Sequence, residues 1–112
     1  MKNTDKLKDK GKILYLDDDF GISFQDINGL AMCHCEVNKW SPDIARRCRM
    51  QIDKLQREYQ RDAYGVARRD DLKHHKFLKR MGFQFFRNKW ILDEDNNDLI
   101  IQVWEKKNDL NR

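Results

Sequence analysis

The sequence predicts an α+β domain, a mixed central sheet carrying two main helices, and three short stretches predict it. Trp40-Ser41-Pro42-Asp43 is a helix start. Ser41 can accept hydrogen bonds from the first-turn amides, Pro42 has no amide to leave unpaired, and Asp43 complements the helix dipole. Asn28-Gly29 lies between two strand-like runs, and both residues tolerate the positive φ of a two-residue hairpin turn. His74 to Phe83 reads as the last turns of an amphipathic helix, a glycine that ends it in the left-handed conformation, and an aromatic strand (Phe83, Phe85, Phe86) starting at once. The resulting order is strand, strand pair, helix, strand, helix, strand pair.

Taken in order, residues 1–12 alternate Lys and Asp around a single internal apolar residue, Leu7, and predict a flexible lead-in. Ile13 to Leu16 is a short β-prone run that stops at Asp17-Asp18-Asp19, read as a turn in preference to a hard-cation site. Gly21 to Asp26 and Gly29 to Val37 form the hairpin. Period-two alternation puts Leu30, Met32, His34 and Glu36 on one face and Ala31, Cys33, Cys35 and Val37 on the other. Neighbouring strand residues cannot converge on one ion, so Cys33-His34-Cys35 reads as small buried thiols on a core face, with Cys48, and not as a zinc ligand set.

The first helix should run to about Arg61, with Ile44, Cys48, Ile52, Leu55 and Tyr59 as its apolar stripe. Arg46, Arg47, Arg49, Lys54, Arg57 and Arg61 take its remaining surface, read as a solvated face. Ala63 to Ala67 is a short buried strand whose Gly65 marks a bulge or a close approach. Asp70 or Asp71 caps the helix that reaches Met81. Phe83 to Leu92, a turn over Asp93 to Asp98 and Leu99 to Glu105 close the fold as a hairpin. Residues 13–106 are thus expected to be one domain, and 107–112 a polar tail that frays.

A chain of 112 residues supports one core, and 38% charged with 11% aromatic residues describes a folded, densely ionised domain. No run approaches the ~18 apolar residues of a membrane span, and the opening residues lack a signal-peptide apolar region, which predicts a cytoplasmic chain without membrane contact. Three cysteines are not a secreted disulfide framework. Residues 41–90 hold fourteen Lys/Arg against six Asp/Glu, so the net charge of +4 belongs to the middle of the chain. That segment could meet phosphate or an acidic partner.

The element order, ending in Lys76-Phe77-Leu78-Lys79-Arg80-Met81-Gly82-Phe83 and two more strands, resembles the C-terminal two thirds of the GNAT (GCN5-related N-acetyltransferase) fold over roughly residues 20–105. In that family the helix, "GF" and strand close the sheet beside the acetyl-CoA groove. The brevity of the chain and the pairing of His74 with Lys76 to Lys79 resemble acetyltransferase-like proteins of tailed bacteriophages. A truncated GNAT-like fold follows from the resemblance.

The same resemblance implies site residues. Active members hold the cofactor pyrophosphate with a Gln/Arg-x-x-Gly-x-Gly/Ala loop, whose nearest match here, Arg46 to Gln51, has no glycine in either place and should already be helical. Arg46, Arg47 and Arg49 remain as point charges toward phosphate. Val37 closes the strand beside the groove, and Asp71 stands where many members have asparagine. The tyrosine that protonates the departing thiolate, four residues before the glycine, is Leu78 here. Candidate general bases are Glu36, His34 and the Asp17 to Asp19 cluster, with no catalytic set assigned.

The implied function is therefore a non-catalytic GNAT-like bacteriophage accessory protein without a cofactor, acting in virion assembly or internal virion structure through a virion or host protein that meets the basic segment and Trp40 or Trp90. The alternative is a divergent N-acetyltransferase using acetyl-CoA on a small amine or a protein lysine. The third is nucleic-acid binding through Arg46, Arg47, Arg49 and Arg57.

Overall fold

A computed structural model describes residues 2–108; residues 109–112 of the expected tail lie outside them. A 3-10 helix (Asn3–Asp9) precedes β1 (Lys12–Leu16), β2 (Phe20–Ile27), β3 (Leu30–Val37), α1 (Pro42–Tyr59), β4 (Ala63–Arg68), α2 (Leu72–Arg80), β5 (Gln84–Leu92) and β6 (Asp98–Lys106). The strands form one mixed sheet in the order β1-β2-β3-β4-β6-β5. β3 and β4 run parallel, and the other neighbours are antiparallel. No helix among the described residues is long and apolar enough to cross a membrane.

Local chemistry sets the turns. Asn28 and Gly29 take φ of 52° and 82° between the paired Ile27 and Leu30, as a tight hairpin requires. The Ser41 hydroxyl accepts the Ile44 amide at 3.1 Å to start α1, and Asp71 accepts the His74 amide at 3.2 Å to start α2. Gly82, at φ 95°, ends α2: its amide donates to Lys79 and that of Phe83 donates to the Leu78 carbonyl at 2.9 Å. α1 ends at Tyr59, two residues earlier than expected, because Gln60 adopts the left-handed conformation (φ 53°).

Both helices lie on one face of the sheet. Ile44, Cys48, Ile52 and Leu55 of α1 and Leu78 of α2 share a core with Phe20, Ile22, Val37, Ala63, Ala67, Phe83 and Trp104. Tyr59, predicted to extend the stripe, is exposed. Phe85 and Phe86 are exposed as well, because β5 is the sheet edge and among the described residues pairs only with β6.

The amino-terminal segment departs most from expectation. Instead of a flexible lead-in, the 3-10 helix packs on the opposite face of β2 and β3, with Leu7 fully buried against Gly21. Asn3 donates to the Val37 carbonyl at 2.8 Å, and Asn38 accepts the Thr4 amide at 3.0 Å. A single leucine suffices because burying one is worth roughly 1.5–3 kcal/mol and Gly21 leaves the space for it; the charged residues around it hide the signal. The far end is also anchored, since the buried Asn108 donates its amide to Asp62 at 2.8 Å, so residues 107–108 do not behave as the expected fraying tail.

Candidate functional site

β3 and β4 pair at Ala31 with Ala63 and at Met32 with Tyr64, and then separate. Beyond that point β3 keeps β2 on its far side and β4 keeps β6. Cys33 to Val37 therefore leave about 16 Å of strand edge facing a gap, at ~3.3 Å per residue. The inner part of the gap is a slot of about 200 Å³, with Cys33, His34, Gly65, Leu78 and Phe83 among its walls. It opens into an outer groove of about 690 Å³ between the end of β3, Trp40 and α2, a size ordinary for a ligand cleft. Cys35, Glu36, His74 and Phe77 line both.

Among the described residues that line the slot there is no tyrosine. Leu78 points into it with its side chain buried, and Gly65 is what lets it do so: a Cβ on Gly65 would lie 2.8 Å from Leu78 Cδ2. The groove is walled by rings, with Trp40 edge-on to Phe77 at 5.6 Å and His74 stacked on Phe77 at 5.9 Å. Its rim carries Lys73, Lys76 and Arg80, spaced along one face of α2 and in no ion pair among the described residues.

On β3, His34 Nε2 lies 3.0 Å from Gln25 Oε1. With Nε2 donating to that amide oxygen, Nδ1 is left as an acceptor. Burial, and then the charge of Lys10, hold the imidazole below its ordinary pKa and so neutral near pH 7. Cys48 is buried in the core, while Cys33 and Cys35 are half-buried against it and line the slot. Burial pushes Cys33 up to about 12. Cys35 is raised by its hydrogen bond to Cys48 and by burial, and the same bond lowers Cys48. Among the described residues no three His, Cys, Asp or Glu side chains converge to hold a metal ion.

Of the residues singled out from sequence, His34, Glu36, Val37 and Asp71 line the slot or the groove. The α1 arginines are directed elsewhere. Arg46 pairs with Asp43; Arg47 grips Asp17 and Asp19 at 2.9 and 2.8 Å and covers the Phe20 ring; Arg49 donates to the Arg80 carbonyl at 3.3 Å. Arg57 is on the exposed face. Arg46 to Gln51 lie inside α1, whose Ile44 and Ala45 amides are taken by Ser41, so no amide cradle for phosphate forms there. The aspartates form a turn, Asp17 accepting the Asp19 and Phe20 amides at 2.8 and 2.9 Å.

Sequence reasoning missed the cations of α2, the ring wall and the contributions of Asn3 and Lys10 to the two cavities. The three-and-four spacing of Lys73, Lys76 and Arg80 was the available signal.

No protein-family model matches the chain, and no curated protein matches it. Among solved structures it is similar to yncA of Salmonella typhimurium, assigned as an acetyltransferase and solved with its cofactor acetyl-CoA, at 10% identity and a TM-score of 0.62 over 81% of this chain. It is also similar to a GNAT-family acetyltransferase from Bacillus anthracis, at 8% identity and a TM-score of 0.62 over 78% of this chain. The chain has the GNAT acetyltransferase fold, as its final helix, glycine and strand implied. It spans 58% and 57% of the length of those two proteins.

Proposed function

We propose that the chain is an acetyltransferase-like protein that binds acetyl-CoA in the cleft between β3 and β4 and passes the acyl group to an amine. The observation that carries this reading is the separation of the parallel pair after Met32 and Tyr64, which joins a narrow slot to a cation-rimmed groove.

The residues present suit the group in its own way. The edges of β3 and β4 offer backbone amides and carbonyls to the amides of a pantetheine arm. Lys73, Lys76 and Arg80 supply positive charge for its phosphates in place of the missing amide cradle. When bound, the thioester supplies an activated acyl carbon. His34 Nδ1 takes the proton that the attacking amine sheds as the N–C bond forms. His74, one turn before Leu78 on α2 and also in the slot wall, would give the departing sulfur its proton as the C–S bond breaks, the role the family gives a tyrosine. One proton is lost and one gained, so the transfer balances.

Isothermal titration tests the reading: acetyl-CoA should bind, and Lys73→Ala/Lys76→Ala/Arg80→Ala should weaken it by about tenfold or more, with the loss growing at low salt. No binding to the wild-type chain would refute it. A second reading, a non-catalytic accessory protein working through protein contacts in a bacteriophage setting, draws on Leu78 in the tyrosine position and on the exposed Trp40 and Trp90. Thiol release with no amine or peptide acceptor, despite acetyl-CoA binding, would favour it.

A further inference from the structure

We propose that the acceptor is an amine that also carries a carboxylate, and that it reaches the slot from the sheet face covered by the 3-10 helix, where Lys10 holds its carboxylate. The proposal rests on the acetyl-transfer reading and adds the acceptor class to it.

The slot passes through the sheet. Cys33, Ile52 and Leu78 wall it from the helix side, whereas Lys10, Met32, His34 and Val66 wall it from the other. An acyl donor lying along the cationic groove beside α2 occupies the first side and leaves the second open to the acceptor.

Lys10 is built into that second mouth. Its carbonyl accepts the hydroxyl of the buried Ser23 at 2.6 Å, and Ser23 pairs across the hairpin with His34. The next residue, Gly11 (φ 84°), passes so close to β2 that a Cβ there would lie 2.7 Å from Gln25 Cα, which holds the backbone of residue 10 in place. The side chain is half-buried, its charge acts on His34, and it has no carboxylate partner among the described residues.

The opposite charge is close by. Glu36 follows His34 on the same strand face, one two-residue step of about 7 Å along β3. The mouth is thus positive at Lys10, neutral and basic at His34, and negative at Glu36. A dipolar ligand, amine toward Glu36 and His34 and carboxylate toward Lys10, matches this order. A polycationic acceptor, such as a lysine in a basic segment, meets a repelling charge at Lys10 instead.

Three matched acceptors at saturating acetyl-CoA test this: an amino acid, its primary amide, and the amine without the carboxyl group. The wild-type chain should favour the amino acid by about tenfold in kcat/KM, chiefly through KM; Lys10→Met should level the three, and Lys10→Arg should keep the preference. Equal rates on acid and amide, or a preference that survives Lys10→Met, overturns the proposal. A readout independent of turnover is the His34 imidazole NMR signal, which the amino acid should shift in the wild type and not in Lys10→Met; no shift in the wild type also overturns it. Calorimetry with acetyl-CoA separates the two ideas: if it does not bind, the transfer reading falls, while the His34 signal still decides whether the amino acid docks at Lys10.

Discussion

The contact between Gly65 and Leu78 sets the floor of the slot, and a double-mutant cycle measures it. Gly65→Ala places a methyl 2.8 Å from Leu78 Cδ2, where 3.4–4 Å is ordinary contact, so Leu78 must retreat into the slot by at least about 0.6 Å. Overpacking of this kind costs about 1–3 kcal/mol, and the lower end applies because the obstructing atom is a terminal methyl. Leu78→Ala alone removes a buried side chain and costs about 2–5 kcal/mol. In the double variant the new methyl has room and fills part of the void. The two costs should then fall short of additivity by about 1–2 kcal/mol. Urea unfolding at constant m reads this directly, and each kcal/mol shifts Tm by about 4–8 °C for a domain near this size. Acetyl-CoA affinity should follow the same logic, falling in Gly65→Ala and recovering in the double variant. Additivity within about 0.5 kcal/mol would refute the contact as the element that shapes the slot.

Leu7→Ala should cost about 2–5 kcal/mol in thermal or urea unfolding, because the side chain is fully buried; a detached lead-in would leave stability unchanged. Burial alone would raise Asp17, but the Tyr15 hydroxyl, the Phe20 and Asp19 amides and Arg47 outweigh it, and its carboxyl titrates below the ordinary aspartate value. Its contribution is therefore present above that value and lost as pH falls through the depressed one. Asp17→Asn should cost about 1–2 kcal/mol at pH 7, and its gap from the wild type should close below about pH 4. Cys33 and Cys35 line the slot yet should react slowly with a disulfide reagent in the native protein at pH 8 and rapidly in urea, since burial pushes Cys33 up to about 12 and its bond to Cys48 and burial raise Cys35; Cys48, lowered by that bond, should be slow only because it is fully buried. Fast native labelling of Cys48 would show that this part of the core opens, and of Cys33 or Cys35 that its thiol is not held protonated.

From β1 onward the sequence alone determined the elements, their order and their boundaries to within a residue or two. Ser41, Pro42 and Asp71 start helices, Asn28-Gly29 turns a hairpin, and Gly82 stops α2, each through the backbone preferences of a few adjacent residues. Because those preferences are local, they could be read without the fold. The final helix, glycine and strand carried the fold resemblance for the same reason, and Leu78 already marked the absence of the tyrosine.

Only the tertiary structure decided what meets what. Arg47, singled out for phosphate, is held by Asp17 and Asp19 from thirty and twenty-eight residues away. The groove takes its cations from α2 instead, and a segment whose charges suggested a flexible lead-in places Leu7 in a core and Lys10 beside His34. The slot itself is a failure of two strands to stay paired, kept open across residues far apart in the chain. Such contacts depend on how helices and strands pack, through shape, burial and paired charge, and no window of neighbouring residues encodes them.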